Sequence, residues 1–180
     1  MSKVLVLSGS PRKNGNTERL AAAFAEGAGL HHDVEILSVC DFHIEPCIGC
    51  NTCFKGENRC FREDDMELFY KKLKEAEILI IASPVYFYGI SAQLKTVIDR
   101  LHNPIRNSFH IKKLGLILVG GASLPDLFAS IIEQSRLVRN FFHLEDAGMV
   151  LVRGAREKGE VPEASLKEAY ELGASLQVSQ

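Results

Sequence analysis

Four of the chain's five cysteines fall within one stretch, Glu45 to Met66, at Cys47, Cys50, Cys53 and Cys60. Their spacing is C-x2-C-x2-C-x6-C. Three thiols at three-residue steps can face one centre from a single tight loop, and a fourth can return from beyond Gly56. Thiolates so arranged suit a soft metal or a redox role. Zinc on four thiolates is one alternative, although C-x2-C-x2-C is an unusual run for a structural zinc site. Thiols that hold nothing are another. The fifth, Cys40, ends a strand pattern and reads as a small buried hydrophobe.

A second group of residues runs Ser8-Gly9-Ser10-Pro11-Arg12-Lys13-Asn14-Gly15-Asn16-Thr17, a hydroxyl- and glycine-rich turn between a strand pattern and a helix pattern. Free N–H groups and the helix dipole favour an anion at such a place. The run is neither the G-x-x-x-x-G-K-[ST] phosphate loop nor the dinucleotide G-x-G-x-x-G. Neutral donors from Ser10, Asn16 and Thr17 with one charge from Arg12 suit a single terminal phosphate better than a triphosphate with magnesium. The competing interpretation is a capped turn without a ligand.

The third group, Pro84-Val85-Tyr86-Phe87-Tyr88-Gly89, puts three aromatics at the end of the most apolar strand pattern. Polar turns are usual there, so the rings suggest a flat apolar ligand face, and Gly89 permits close approach of the backbone. Covering the core or an oligomer interface would also explain them. Beside a phosphate loop, a planar ring with a phosphate tail is the better reading. The histidines add little: His31 and His32 read as solvated, His43 could reach the cysteine region, and His102, His110 and His143 have no evident partner. No catalytic histidine is indicated.

These groups need a scaffold. Lys3–Leu7, Asp33–Val39, Glu77–Ala82, Lys113–Val119 and Gly148–Val152 read as strands, the first apolar on both faces and the third the clearest buried strand. Between and after them, helices are expected from Thr17 with Asn16 as N-cap, from Asp64 or Asp65 to Lys74, over Ala92–Leu101 and Leu127–Phe142, and over Pro162–Leu176. Strand and helix alternate five times, which favours right-handed crossovers and a parallel sheet with helices on both faces. Ligands of such sheets bind outside the carboxyl ends of the strands. The loops to watch are therefore Ser8–Asn16, Ser83–Ser91 and Gly120–Pro125.

At 180 residues the chain has the length of one domain, with the cysteine-rich stretch at about 45–63 as an insert. Apolar residues make up 46% and the formal net charge is −2, which gives no reason to expect a nucleic acid or an anionic membrane as partner. No apolar run approaches the roughly 18 residues of a membrane span. The N-terminal apolar run is too short for a signal-peptide core. A cytoplasmic location is expected, where thiols stay reduced.

Taken in order, the three motifs and the Asp64-Asp65-Met66 and Ile90–Arg100 segments around them resemble the flavodoxin-like NAD(P)H-dependent FMN reductases, and among these the iron–sulfur flavoproteins. The resemblance is strong from Lys3 to Arg100 and by pattern only beyond. It implies a three-layer α/β sandwich on a five-stranded parallel sheet of order 2-1-3-4-5, and one FMN per subunit. Ser10, Pro11, Arg12, Gly15, Asn16 and Thr17 would form the phosphate site. Pro84, Val85, Tyr86, Phe87, Tyr88 and Gly89 would line the isoalloxazine, with Gly120 and Gly121 at its far edge. Cys47, Cys50, Cys53 and Cys60 would carry a [4Fe–4S] cluster. The implied activity is electron transfer from NAD(P)H or reduced ferredoxin to a flavin, quinone or other small acceptor, in a homodimer or homotetramer. Two other functions stay open: a cluster-free NAD(P)H:quinone or FMN reductase, and a non-catalytic metal- or flavin-binding module that works by interaction.

Overall fold

The run Val4-Leu5-Val6-Leu7 forms most of β1 (Lys3–Ser8), in which every residue after Lys3 is buried. A strand covered on both faces belongs inside a sheet with helices above and below. The computed structural model describes residues 1–177 and puts β1 there. On one side of β1 lies β2 (Asp33–Ser38). On the other lie β3 (Ile78–Tyr86), then β5 (Lys113–Val119) and β6 (Glu145–Val152), all parallel. This is the expected 2-1-3-4-5 order of parallel strands. A short sixth strand, β4 (Gly89–Ile90), pairs antiparallel with the end of β3.

Side chains alternate across the strands, so β1 feeds two cores. Val4 and Val6 pack on one face with Leu20 and Phe24 of α1 (Asn16–Ala28) and Ala169 of α6 (Glu163–Ala174). Leu5 and Leu7 pack on the other face against three helices. Met66, Phe69 and Leu73 come from α3 (Met66–Glu75), Leu94 and Val97 from α4 (Ala92–Arg100), and Ile131 from α5 (Ala129–Phe142). A single turn, α2 (Thr52–Lys55), is the one helical piece of the cysteine stretch among the described residues. No helix among them is long and apolar enough to cross a membrane.

Four details depart from expectation. β3 does not stop at Ala82 but runs to Tyr86, because Val85 and Tyr86 suit a strand and find partners in Ile90 and Gly89. β6 starts at Glu145 rather than Gly148. The glycine, at φ +87°, lies inside the strand near the register shift opposite Leu114 to Leu116, where a bulge favours it. α1 begins at Asn16 with Gly15 in the N-cap position and no side-chain cap. His32 is buried rather than solvated, its Nε2 lying 3.1 Å from the Leu176 carbonyl oxygen, because the turn after α1 folds beneath the end of the chain past α6.

Helices α1 and α6 touch through glycine. A Cβ on Gly27 would lie 2.0 Å from the Tyr170 carbonyl oxygen, and one on Gly173 would lie 2.2 Å from that of Phe24. Backbone cannot yield as a side chain can. Gly173→Ala is therefore expected to cost about 1–3 kcal/mol by overpacking, read as a lowered midpoint of denaturant unfolding with an unchanged m-value.

Candidate functional site

The strand order reverses between β1 and β3, and the loops that leave them diverge. Gly9 N–H donates to the Ala82 carbonyl at 2.8 Å, tying the first loop to β3 before it turns away. Gly9 also lets α4 come close, since a Cβ there would lie 2.5 Å from Ser91 Oγ. The loop then tightens on itself. Arg12 N–H donates to Ser10 Oγ, the Ser10 hydroxyl donates to the Arg12 carbonyl, and Gly15 N–H also donates to that carbonyl. The opening N–H groups of α1 have no intrahelical acceptor, and no side chain caps them.

A cleft of about 230 Å³ opens there. Of the expected residues, Arg12, Gly15, Asn16, Thr17, Pro84, Val85, Tyr86 and Gly121 line it. Ser10 is buried beneath the loop, Pro11 is exposed beside it, and Gly120 is packed against Leu127 and bonded to Val152. Phe87, Tyr88 and Gly89 belong to the hairpin at the rim. The cleft also takes Val119, Ala155, Arg156 and Lys158, which sequence reasoning missed. The signal was available: Arg153-Gly154-Ala155-Arg156-Glu157-Lys158-Gly159 follows a strand, as the three chosen loops do.

Asn16 connects the first of these loops to the last. Its buried amide donates to the carbonyls of Ala155 and Glu157, at 3.2 and 2.8 Å, and its Oδ1 accepts from Gly159 N–H at 2.9 Å. Arg12 Nη1 adds a bond to the Arg156 carbonyl at 3.0 Å. Three cations, Arg12, Arg156 and Lys158, thus line a cleft floored by a helix N-terminus, a field suited to an anion.

The hairpin at the rim is strained. Phe87 and Tyr88 take φ of +48° and +64° where a two-residue turn usually carries Asn and Gly. Phe87 is wholly exposed. The turn is tied to α5 by the Ser130 hydroxyl, which donates to the Tyr88 carbonyl. Beneath it, Ser83 Oγ accepts from Ser91 N–H at 3.0 Å and Ser91 Oγ caps α4 through Leu94 N–H.

At the far end of α4 is a second site. Cys47, Cys50, Cys53 and Cys60, all free, line one small cavity with Arg62, Arg100, Tyr70 and His102. The loop curls through left-handed backbone at Gly49, Asn51, Glu57 and Asn58, which brings Cys60 back to the first three. Phe54 packs against His102 with the rings tilted by 46° and 5.0 Å between their centres, which docks the loop on the turn after α4. The Thr52 hydroxyl and N–H hold the Cys50 thiol below its ordinary pKa, whereas burial pushes those of Cys53 and Cys40 up. Among the described residues, no three His, Cys, Asp or Glu side chains converge closely enough to hold a single ion.

The neck of this insert is closed by polar contacts. His43 and Asp65 exchange hydrogen bonds of 2.7 and 3.1 Å, and Glu45 N–H donates to Asp64 Oδ2 at 2.9 Å. Arg100 enters from α4 and gives Nη1 to Asp64 Oδ2 at 2.5 Å and to the Glu45 carbonyl at 3.0 Å. Both charged side chains are almost fully buried, at 2% and 3% exposure. Burial alone would push the Asp64 carboxyl up. The bonds from Arg100, Glu45 and Met66 outweigh that and hold it below the usual carboxylate range.

The fold and the placement of its cleft define the class: a flavodoxin-like α/β protein with a ligand crevice at the switch between β1 and β3. Residues 2–130 match the NADPH-dependent FMN reductase family, to which the chain belongs. It is 45% identical to an iron-sulfur flavoprotein of Methanocaldococcus jannaschii over a segment covering 67% of this chain and 63% of that protein. The matched segment thus spans less than two thirds of that relative. An iron-sulfur flavoprotein of Archaeoglobus fulgidus is 32% identical, with 97% and 78% covered. In fold, the chain is similar to an NAD(P)H:quinone oxidoreductase from Methanothermobacter marburgensis, with a TM-score of 0.78, 19% identity, and 98% and 99% of the two chains covered. It is also similar to an FMN-dependent NADH-azoreductase of Bacillus anthracis solved in complex with FMN, with a TM-score of 0.68, 15% identity and 96% of each chain covered.

Removing one member of the buried pair leaves the other charge unpaired. Asp64→Asn is expected to destabilise the protein by about 3–5 kcal/mol in chemical denaturation. A carboxyl whose pKa is lowered on folding contributes above its unfolded value of about 3.9 and loses that contribution as pH falls through the lower folded value. The wild-type stability curve should therefore fall on the acid side of about pH 4, and the Asn variant's acid limb should be shallower.

Proposed function

We propose that this protein is an FMN-dependent oxidoreductase. It takes electrons from NAD(P)H or reduced ferredoxin and delivers them to a flavin, a quinone or another small molecule, and its four clustered thiols hold a [4Fe–4S] cluster. One observation carries the reading. An uncapped helix N-terminus, three cations and an aromatic hairpin meet at the carboxyl ends of β1 and β3, within a fold whose family is named for FMN.

Bound in the cleft, FMN supplies hydride and one-electron chemistry that the side chains cannot. The N–H groups of Asn16 and Thr17, with the guanidinium of Arg12, hold its phosphate, and Ser10 keeps the loop in shape. Arg156 and Lys158 add charge on the opposite wall. The Asn16 side chain works through that wall, since its amide is already committed to residues 155 to 159. Pro84 to Gly89, with Gly120 and Gly121, flank the ring. The exposed Phe87 supports completion of the site by a neighbouring subunit in a homodimer or homotetramer.

The cluster, on Cys47, Cys50, Cys53 and Cys60, would supply one-electron exchange. Its fit rests on the donor set. A cluster spreads four thiolates over the corners of a cube, whereas zinc draws them to one atom. The four thiols share one cavity, bordered by the buried Arg100 and the partly buried Arg62. The names of the two curated relatives support the same choice.

Protein purified without oxygen is expected to show a flavin spectrum and to contain iron and acid-labile sulfide in equal amounts. A flavin spectrum without iron removes the cluster and leaves a cluster-free reductase. A colourless protein that takes up no FMN on titration overturns the reading. Arg12→Ala is expected to weaken FMN by about 1.5–3 kcal/mol in a fluorescence titration, and an unchanged affinity removes Arg12 from the site.

A further inference from the structure

The two arginines beside the thiols bond the frame of the cavity through Nη1. Arg100 commits Nη1 to Asp64 and to the Glu45 carbonyl. Arg62 commits Nη1 to Glu45 Oε2 at 3.3 Å. In both, Nε is buried and has no acceptor among the described residues. A buried charged donor without a partner costs more than an exposed one, by an amount comparable to the full desolvation of the group. Native proteins rarely leave such a group idle unless a ligand or water takes it. Both side chains line the same cavity as Cys47, Cys50, Cys53 and Cys60.

Charge supports the same assignment. The two carboxylates bonded to these arginines are also engaged elsewhere. Asp64 is bonded to Arg100, Glu45 N–H and Met66 N–H, and Glu45 to Arg62 and His43. One carboxylate per guanidinium neutralises the pair in the absence of a ligand, but the Nε–H groups still have nothing to donate to. An iron–sulfur group on four thiolates is net negative and presents sulfur acceptors on every side. It would accept both.

Building on the proposed cluster, we propose that the Nε–H groups of Arg62 and Arg100 donate to its sulfur atoms and raise its reduction potential. They are positioning and tuning residues rather than ligands. Hydrogen bonds to the sulfurs and local positive charge stabilise the more negative, reduced form, and both are known levers on such potentials. Arg62 reaches the cavity from the insert and Arg100 from α4, so the donors approach from two elements.

The test uses protein purified and loaded without oxygen, with the midpoint potential followed by EPR in a redox titration. Arg62→Lys keeps the charge but removes the Nε–H. It should lower the potential while iron and sulfide content stay at wild-type level. It should also reduce the hyperfine coupling to arginine nitrogen seen by pulsed EPR in ¹⁵N-arginine-labelled protein. Arg100→Lys should act in the same direction. If that variant fails to fold, because it also loses the bond to Asp64, Arg62→Lys alone decides. A loaded Arg62→Lys protein with unchanged potential and unchanged coupling overturns the proposal and leaves the cluster standing. A wild-type protein that binds no iron or sulfide overturns the cluster reading, and this proposal with it.

Discussion

The buried pair of Asp64 and Arg100 is the contact on which the second half of the site depends. Residues 44–65 separate His43 from the start of α3 with only the single turn α2 among them, too long a loop to keep its shape by local turns alone. Asp64 closes it by accepting from Glu45 N–H at one end of the loop while bonding Met66 N–H at the start of the helix. Arg100 then fixes that junction to α4. The pair carries a desolvation cost that an apolar substitute would avoid. What it gains is specificity, since it sets which stretch of loop lies over the thiol cavity and at what register.

Arg100 also places the two sites at opposite ends of one element. α4 begins at Ser91, which is bonded to Ser83 beneath the aromatic hairpin, and ends at Arg100 beneath the cysteines. Nine residues of helix span about 13 Å. The helix is pinned at both ends by buried polar groups, Ser83 and Ser91 at one and Asp64, Tyr70 and Asn103 at the other. A shift of the cysteine loop and a shift of the hairpin must therefore pass through the same rigid piece.

Much of this could be read from the chain because the relevant signals are local. The two-sided apolar strands, the glycine and hydroxyl turn at 8 to 17, and the cysteine spacing are each contained in a short window. They gave the parallel sheet with helices on both faces and the loops that border the cleft, whereas the strand order followed only from the family resemblance. What escaped depends on contacts across the sequence. Arg156 and Lys158 reach the cleft only because Asn16, some 140 residues earlier, holds their loop. Arg100 reads as an ordinary helix-terminal cation, and nothing near it announces a carboxylate 36 residues away. His32 looked solvated because its covering group is the carbonyl of Leu176. Gly148 looked like a boundary because a bulge and a turn make the same demand on a glycine.

Net charge misleads for a related reason. A value of −2 over 180 residues describes a nearly neutral molecule, yet cations gather at the cleft and at the thiol cavity. Arg12, Arg156 and Lys158 face the cleft, and Arg62 and Arg100 face the thiols. The two sets are built differently. Those at the cleft are on exposed loops and act as a field around an open helix terminus, which suits a ligand that must enter. At the cavity Arg100 is buried and Arg62 partly so, and each bonds the protein that frames the cavity through Nη1. A buried guanidinium loses little further solvation when an anion arrives, so its bond is strong and its geometry fixed. The cleft is thus the wider and more open of the two, and the cavity is small and framed by protein on several sides.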